Sequence, residues 1–295
     1  MKQLQTFMQI SDNPVRYKEK FFWLLKIMVT VSCLWFVGSK LSSSEYPPLK
    51  LLLDSHILIV LGVMLLLMPL NWFLEIQKWR FSVANEELSF KQGMYAVLSG
   101  LALNWVFPFT LGDIGGRLAN VKNYKQSGIA LMLTRVISVG ITSAYGGFAL
   151  IQYFGLSDVY YFLIALGLLL LLIGVRRIYN KSHLKNFRRV VGLTFFRYFV
   201  FTIQFALIIW AVIPALSVES IFGGVGWVFF FRSIVPSIFG NFGVREASAL
   251  IYFERFLDVP TLILVPCLLI WLINTVIPSI VGAFFIFKLK LNIAQ

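Results

Sequence analysis

Apolar residues in this chain are gathered into blocks rather than spread at helix or strand period. Six blocks are long enough to cross a bilayer, which takes about twenty residues: Phe21–Ser39, Ile57–Ile76, Ser127–Phe154, Val159–Val175, Val190–Ile213 and Pro260–Phe287. Two others, Gly93–Phe107 and Ile221–Val235, hold about fifteen apolar residues, short of that rule. Each short block runs straight into a proline and a glycine-rich bend.

The two bends are copies of one pattern. Pro108 to Arg117 reads PFTLGDIGGR and Pro236 to Arg245 reads PSIFGNFGVR. Pro108, Gly112, Gly115 and Arg117 therefore match Pro236, Gly240, Gly243 and Arg245, and Asp113 faces Asn241. In lipid a bent backbone survives only where it is packed in protein or lines a polar cavity. The pair is expected to face one such cavity.

Charge adds direction. Arg16, Lys18 and Lys20 precede the first block, the cluster from Arg176 to Arg189 follows Val159–Val175, and Lys288 and Lys290 follow the last. Loops at Gly155–Asp158 and before Glu219 carry no lysine or arginine, so cytoplasmic N- and C-termini are expected. Gln77-Lys78-Trp79-Arg80 reads as a cytoplasmic interface. Lys91 and Lys122 then lie on one side, which makes the segment between them a re-entrant hairpin.

The expected fold is an all-α polytopic membrane protein with about six transmembrane helices and two re-entrant broken-helix hairpins, or alternatively eight full crossings. Residues 1–20 form a cytoplasmic segment and 21–290 a single domain, with a retained signal anchor at its start. Its halves, roughly 21–154 and 159–287, each make an odd number of crossings and so form an inverted repeat. Alternating-access transporters commonly have this plan.

Composition agrees with that reading and removes others. Of 295 residues, 59% are hydrophobic and 13% charged, against about 25% charged in soluble domains. The net charge of +13 collects at block ends, which points to anionic lipid and away from nucleic acid. Cys33 and Cys267 lie in apolar blocks and His56 and His183 are far apart, so neither a metal nor another cofactor is expected.

Arginine inside a membrane is costly and asks for a partner. Arg117, Arg135, Arg197, Arg232 and Arg245 lie in or beside the membrane interior. They either hold an anionic headgroup, since guanidinium fits phosphate as a planar fork, or snorkel, or pair with Asp113, Glu246 or Glu254. The expected substrate-binding set is Asn104, Asp113, Arg117, Arg135, Arg232, Asn241, Arg245 and Glu246. Its ligand is an anionic phospholipid or a polyprenyl phosphate. Gly112, Gly115, Gly116, Gly240 and Gly243 supply positive dihedrals or close approach. Trp105 lines the cavity or anchors at the interface. No nucleophile with a base stands at recognisable spacing, which favours a transporter over a lipid-phosphate-modifying enzyme using Asp113 or Glu246; an accessory lipid-binding subunit is the third reading.

Three stretches, Trp72–Arg80, Asn104–Arg117 and above all Gly240–Ala247 with its Gly-Val-Arg-Glu-Ala ending, resemble the lysylphosphatidylglycerol synthase/flippase transmembrane family. The resemblance runs from the second block to the last. It implies the flippase-like membrane half without the soluble synthase domain, acting on lipid in the cell's inner membrane. In the first motif Thr110 and Asp113 stand where the family usually has arginine and glutamate, and Arg117 is displaced by one residue.

Overall fold

A computed structural model describes residues 14–42, 53–83, 87–107, 110–119, 121–182, 184–235 and 242–289, with side chains from Leu24 onward. Pro108, Pro236, Gly240 and Asn241 lie outside the described residues. The described elements are all helical. They are α1 (Pro14–Ser42), α2 (Ser55–Ser82), α3 (Phe90–Leu103), α4 (Leu111–Leu118), α5 (Tyr124–Phe154), α6 (Val159–Lys181), α7 (Phe187–Val212), α8 (Val218–Ile234), α9 (Val244–Phe253), α10 (Pro260–Trp271) and α11 (Ile277–Phe285). A π-helical turn, Leu272–Val276, joins the last two.

Among the described residues, six helical stretches are long and apolar enough to cross a membrane: α1, α2, α5, α6, α7 and the run from α10 to Lys288. They coincide with the six long sequence blocks. Several extend past their apolar part, α2 through Arg80 to Ser82 and α6 to Lys181, because charged residues at a helix end neither break the backbone pattern nor need burial in lipid.

The short blocks form two helical hairpins. At 1.5 Å per residue α3 is about 21 Å long and α4 about 12 Å, too short for a bilayer core of about 30 Å. A capping box starts α3: the Ser89 hydroxyl accepts from the Gln92 amide at 3.2 Å, and the Gln92 side chain accepts from the Ser89 amide at 2.9 Å. After the bend α4 runs back along α3, with Gly116 and Asp113 against Gly100 and Gly112 against Leu103. A Cβ on Gly116 would lie 2.5 Å from the Gly100 Cα, so glycine is what permits this approach. The second hairpin closes the same way, with Gly223 and Gly224 of α8 against Tyr252 and Phe253 of α9. Neither arm of either hairpin is among the described helices long and apolar enough to cross a membrane.

Packing partners repeat between the halves. The α2–α7 pair forms the centre, and exchanging α2, α3, α4 and α5 for α7, α8, α9 and the α10–α11 run maps most other contacts onto one another. Thus α3 lies on α11 as α8 lies on α5, and α2 meets α3 as α7 meets α8. The first helix of each half departs from this pattern: α6 packs along α5, whereas α1 covers α9.

Two apolar clusters hold the bundle. One joins the first turns of α2 (Ile57, Val60, Met64) to the end of α7, α8, α9 and α10. The other joins the end of α2 (Ile76, Trp79) to α3, the start of α5 and the start of α7 at Val190. The middle of α2 and α7 belongs to neither cluster, and there the polar residues converge. Trp79, expected at an interface, is 1% exposed and belongs to the second cluster.

Candidate functional site

Asn71, Glu75 and Lys78 recur on the inner face of α2 at helical spacing and are all buried. With residues of α3, α4, α5, α7, α8 and the π turn they line a cavity of about 370 Å³ between the two apolar clusters.

Glu75 is the hub. Its Oε1 accepts from Arg117 Nη2 at 2.8 Å, while Oε2 lies 2.7 Å from Lys78 Nζ and 2.8 Å from Arg197 Nη1. Asp113 is the second anion, with Oδ1 2.7 Å from Arg117 Nε and Oδ2 2.9 Å from Arg135 Nη2. Arg117 bridges the two carboxylates and sits 5.6 Å above the Trp79 ring. Arg197 lies 5.6 Å over Trp72. Two carboxylates thus hold four cations through every one of their oxygens.

Local geometry fixes Asp113. It stands in the first turn of α4, where the free amides favour a negative charge. The Asn104 side-chain oxygen accepts from the Asp113 amide at 2.8 Å, supplying a cap that Thr110 does not make. Thr110 has φ 59°, a left-handed conformation uncommon for a β-branched residue. Its hydroxyl accepts from Arg135 Nη1 at 3.0 Å, so the strained residue is part of the charge network.

Arg232 is different. It lines the cavity from α8 and lies 5.5 Å over the Phe201 ring, yet it makes no ion pair among the described residues. The lining therefore carries five cations (Lys78, Arg117, Arg135, Arg197, Arg232) against two carboxylates, an excess of three positive charges.

A second group is left with an unused donor. Arg197 Nε donates to Asn71 Oδ1 at 3.2 Å, and because guanidinium has no acceptor this fixes which end of the Asn71 amide is oxygen. Asn71 Nδ2 then donates to Asn274 Oδ1 at 3.1 Å. The Asn274 amide nitrogen, on the π turn, is left buried without a partner among the described residues, as is the Trp72 indole N–H. Insertion of an extra residue in a helical turn turns side chains out of register, and here it sets Asn274 and Thr275 on the cavity.

Of the expected site residues, Asn104, Asp113, Arg117, Arg135 and Arg232 line this cavity. Arg245 and Glu246 do not: their side chains pair with each other, Glu246 Oε2 accepts from the Gly243 amide at 2.8 Å, both are buried, and α1 covers their helix with Cys33 against Gly243. Of the described residues of the second motif, Phe242 to Arg245, none lines the cavity, whereas Thr110, Asp113 and Arg117 of the first motif do. Gly243 has φ 88° and Gly112 has a close backbone contact, whereas Gly115 has neither, having nothing within 4 Å of an added Cβ. Trp105 lies outside the lining, its indole donating to Ser279 at 3.1 Å and its ring 5.7 Å from Trp271.

Sequence reasoning missed Asn71, Glu75, Asn274 and Tyr198, which lines the cavity from α7, placed Lys78 at an interface and left Arg197 out of the site. An acid inside an apolar block was the available signal, since an intramembrane carboxylate marks function by default. Asn274 depends on the π turn, which no local pattern announces. Among the described residues, no group of three or more His, Cys, Asp and Glu side chains is placed to hold a metal ion. No family model, curated protein or solved structure matches the chain.

Proposed function

We propose that this chain is an integral-membrane flippase or headgroup transporter for an anionic lipid, a phospholipid or a polyprenyl phosphate, which seats the phosphate in the cationic cavity. The charge imbalance carries this reading: five cations against two carboxylates, with Arg232 in no ion pair among the described residues. Such an excess between membrane helices is costly unless an anion balances it. Phosphate oxygens match the guanidinium fork, and the unused Asn274 and Trp72 donors add hydrogen bonds that only an acceptor-rich ligand can use.

The repeated packing of the two halves supports alternating access. Arg117 of the first motif lines the cavity, while Arg245 of the second pairs with Glu246 on α9, which α1 covers, so the two matched arginines stand in different environments, as expected for one state of an exchanging pair. The resemblance to the lysylphosphatidylglycerol synthase/flippase transmembrane family supports the reading, since Glu75 and Lys78 lie inside one of the similar stretches. An inner-membrane location with both termini in the cytoplasm follows from the basic loops.

The test is translocation of fluorescent or lipid-linked phosphate in liposomes carrying the purified chain. Movement of at least one anionic lipid, lost in Arg232→Gln, is the expected result. Absence of movement by folded protein across phospholipids and polyprenyl phosphates overturns the reading. Mass spectrometry of the same lipids separates transport from chemistry, because an enzyme changes composition and a flippase changes sidedness alone.

A further inference from the structure

We infer that the cavity opens sideways into the bilayer between α4 and α5, where Arg135 meets an incoming phosphate first and the ligand's hydrocarbon tail stays outside on an apolar stripe of α5. The inference rests on the anion-binding reading above and adds to it a route of entry and a docking surface for the tail.

Exposure locates the opening. Among the described residues that line the cavity, Thr110 is the exposed one, just ahead of α4. Of the four cations held by Glu75 and Asp113, Arg135 has the most accessible side chain, at 32% against 25% for Arg197, 8% for Arg117 and 5% for Lys78. These two residues meet, Arg135 Nη1 donating to Thr110 Oγ1 at 3.0 Å. The most open part of the lining is thus spanned by one contact between the start of α4 and α5.

What lies outside that contact is apolar. With about 100° of turn per residue, Leu131, Thr134, Ser138 and Thr142 form the cavity face of α5, and Met132, Val136 and Val139 form an adjoining face that is exposed. Arg135 stands on the border between the two faces. Leu111, the first residue of α4, is exposed as well. Arg135 comes eleven residues after Tyr124, about 17 Å along the helix at 1.5 Å per residue. That depth lies within a hydrocarbon core of about 30 Å, below the headgroup layer. An arginine in such a place ordinarily reaches toward water, whereas this one turns to α4, held by Thr110 and by Asp113 Oδ2 at 2.9 Å.

Arg135 is also the cation that can change partners with least disturbance. When it leaves Asp113 Oδ2, Oδ1 keeps Arg117 at 2.7 Å, and the three cations on Glu75 are untouched. Two phosphate oxygens replace both of its contacts through the guanidinium fork. Thr110, at φ 59°, is in a conformation costly for a β-branched residue, so release of its hydroxyl leaves the edge of the opening free to relax. A phosphate drawn inward there leaves its tail against Leu111, Met132, Val136 and Val139, in contact with the bilayer throughout.

The test maps the tail. Hexadecyl phosphate carrying a diazirine in mid-chain, and the matching alcohol, are photolysed in phosphatidylcholine liposomes holding the full chain, and labelled residues are located by mass spectrometry. The alcohol reports exposure to hydrocarbon alone. The phosphate probe should label Leu111, Met132, Val136 and Val139 about tenfold above the alcohol, and unlabelled hexadecyl phosphate should remove the excess. Arg135→Gln should abolish the excess without changing labelling by the alcohol, and Arg135→Lys should keep part of it; a glutamine variant that labels like the parent overturns the role of Arg135. Equal labelling by the two probes, or an excess centred on the exposed Phe195, Phe196 and Phe199 of α7, overturns the opening between α4 and α5. Calorimetry with inorganic phosphate separates the levels of failure. Phosphate binding without the labelling excess removes the side opening alone, and absence of both removes the anion site as well.

Discussion

Arg117 and Glu75 meet at 2.8 Å although 42 residues separate them, and both are buried. Arg117 belongs to the returning arm of the first hairpin and Glu75 to the middle of α2, so a single ion pair ties the glycine bend to the central helix pair. Since Arg117 also holds Asp113 at 2.7 Å, the bend cannot shift without breaking a charged contact or exchanging it for another.

Glu75→Gln removes the anion facing Lys78, Arg117 and Arg197. Breaking a buried pair by deleting one partner costs about 3–5 kcal/mol, and here three cations lose their shared counter-charge. A clear fall in melting temperature in detergent is expected. Added phosphate should recover more of it for the variant than for the parent protein, because the ligand then replaces the lost anion. A variant as stable as the parent would falsify the hub role of Glu75.

Arg232→Gln should behave in the opposite way. Its guanidinium rests on Phe201 without an ion pair among the described residues, so the fold does not depend on its charge. Hydrogen bonds to charged groups contribute about 1.5–3 kcal/mol, and losing one should weaken phosphate binding by about tenfold or more. Melting temperature without ligand should change little. Arg232→Lys, which keeps the charge but not the fork, should recover part of the affinity. Unchanged affinity in the glutamine variant would detach Arg232 from ligand binding.

The helical bundle was legible because crossing a bilayer imposes block length, and the two hairpins because short blocks ended in proline and glycine. Arg117, Arg135, Asp113 and Asn104 were legible because the bend forces neighbouring sequence together. Glu75 was not read as central, since its three partners come from its own helix, α4 and α7, and no local pattern encodes that meeting. Arg245 and Glu246 show the converse. Adjacent in sequence and set in the stronger motif, they satisfy each other under α1, a covering that depends on where the first helix packs. Sequence symmetry exposed the pair of motifs, while tertiary packing brings Arg117 to the cavity and leaves its counterpart Arg245 paired with Glu246.

Asn274 offers a test of donor polarity. Asn274→Ala removes the unused N–H and the acceptor for Asn71, and phosphate affinity should fall. Asn274→Asp keeps that acceptor but replaces the free N–H by an oxygen, which repels phosphate. Affinity should therefore order parent above alanine above aspartate in calorimetry at neutral pH. Aspartate equal to the parent would mean that the amide nitrogen does not face the ligand.

The neighbouring glycines of α4 make opposite predictions. A Cβ at position 116 would lie 2.5 Å from the Gly100 Cα and 2.6 Å from its nitrogen, both backbone atoms that cannot rotate aside. Gly116→Ala must push α4 away from α3, at the cost of about 1–3 kcal/mol typical of overpacking. Displacing α4 also carries Arg117 and Asp113 off Glu75 and Arg135, so phosphate binding should fall together with stability. Gly115, one residue earlier, faces open space and has ordinary dihedrals, so Gly115→Ala should leave melting temperature and binding unchanged. If both substitutions are tolerated equally, the close α3–α4 contact does not position the charge network; if only Gly116 is sensitive, the hairpin spacing is what places Arg117 within reach of Glu75.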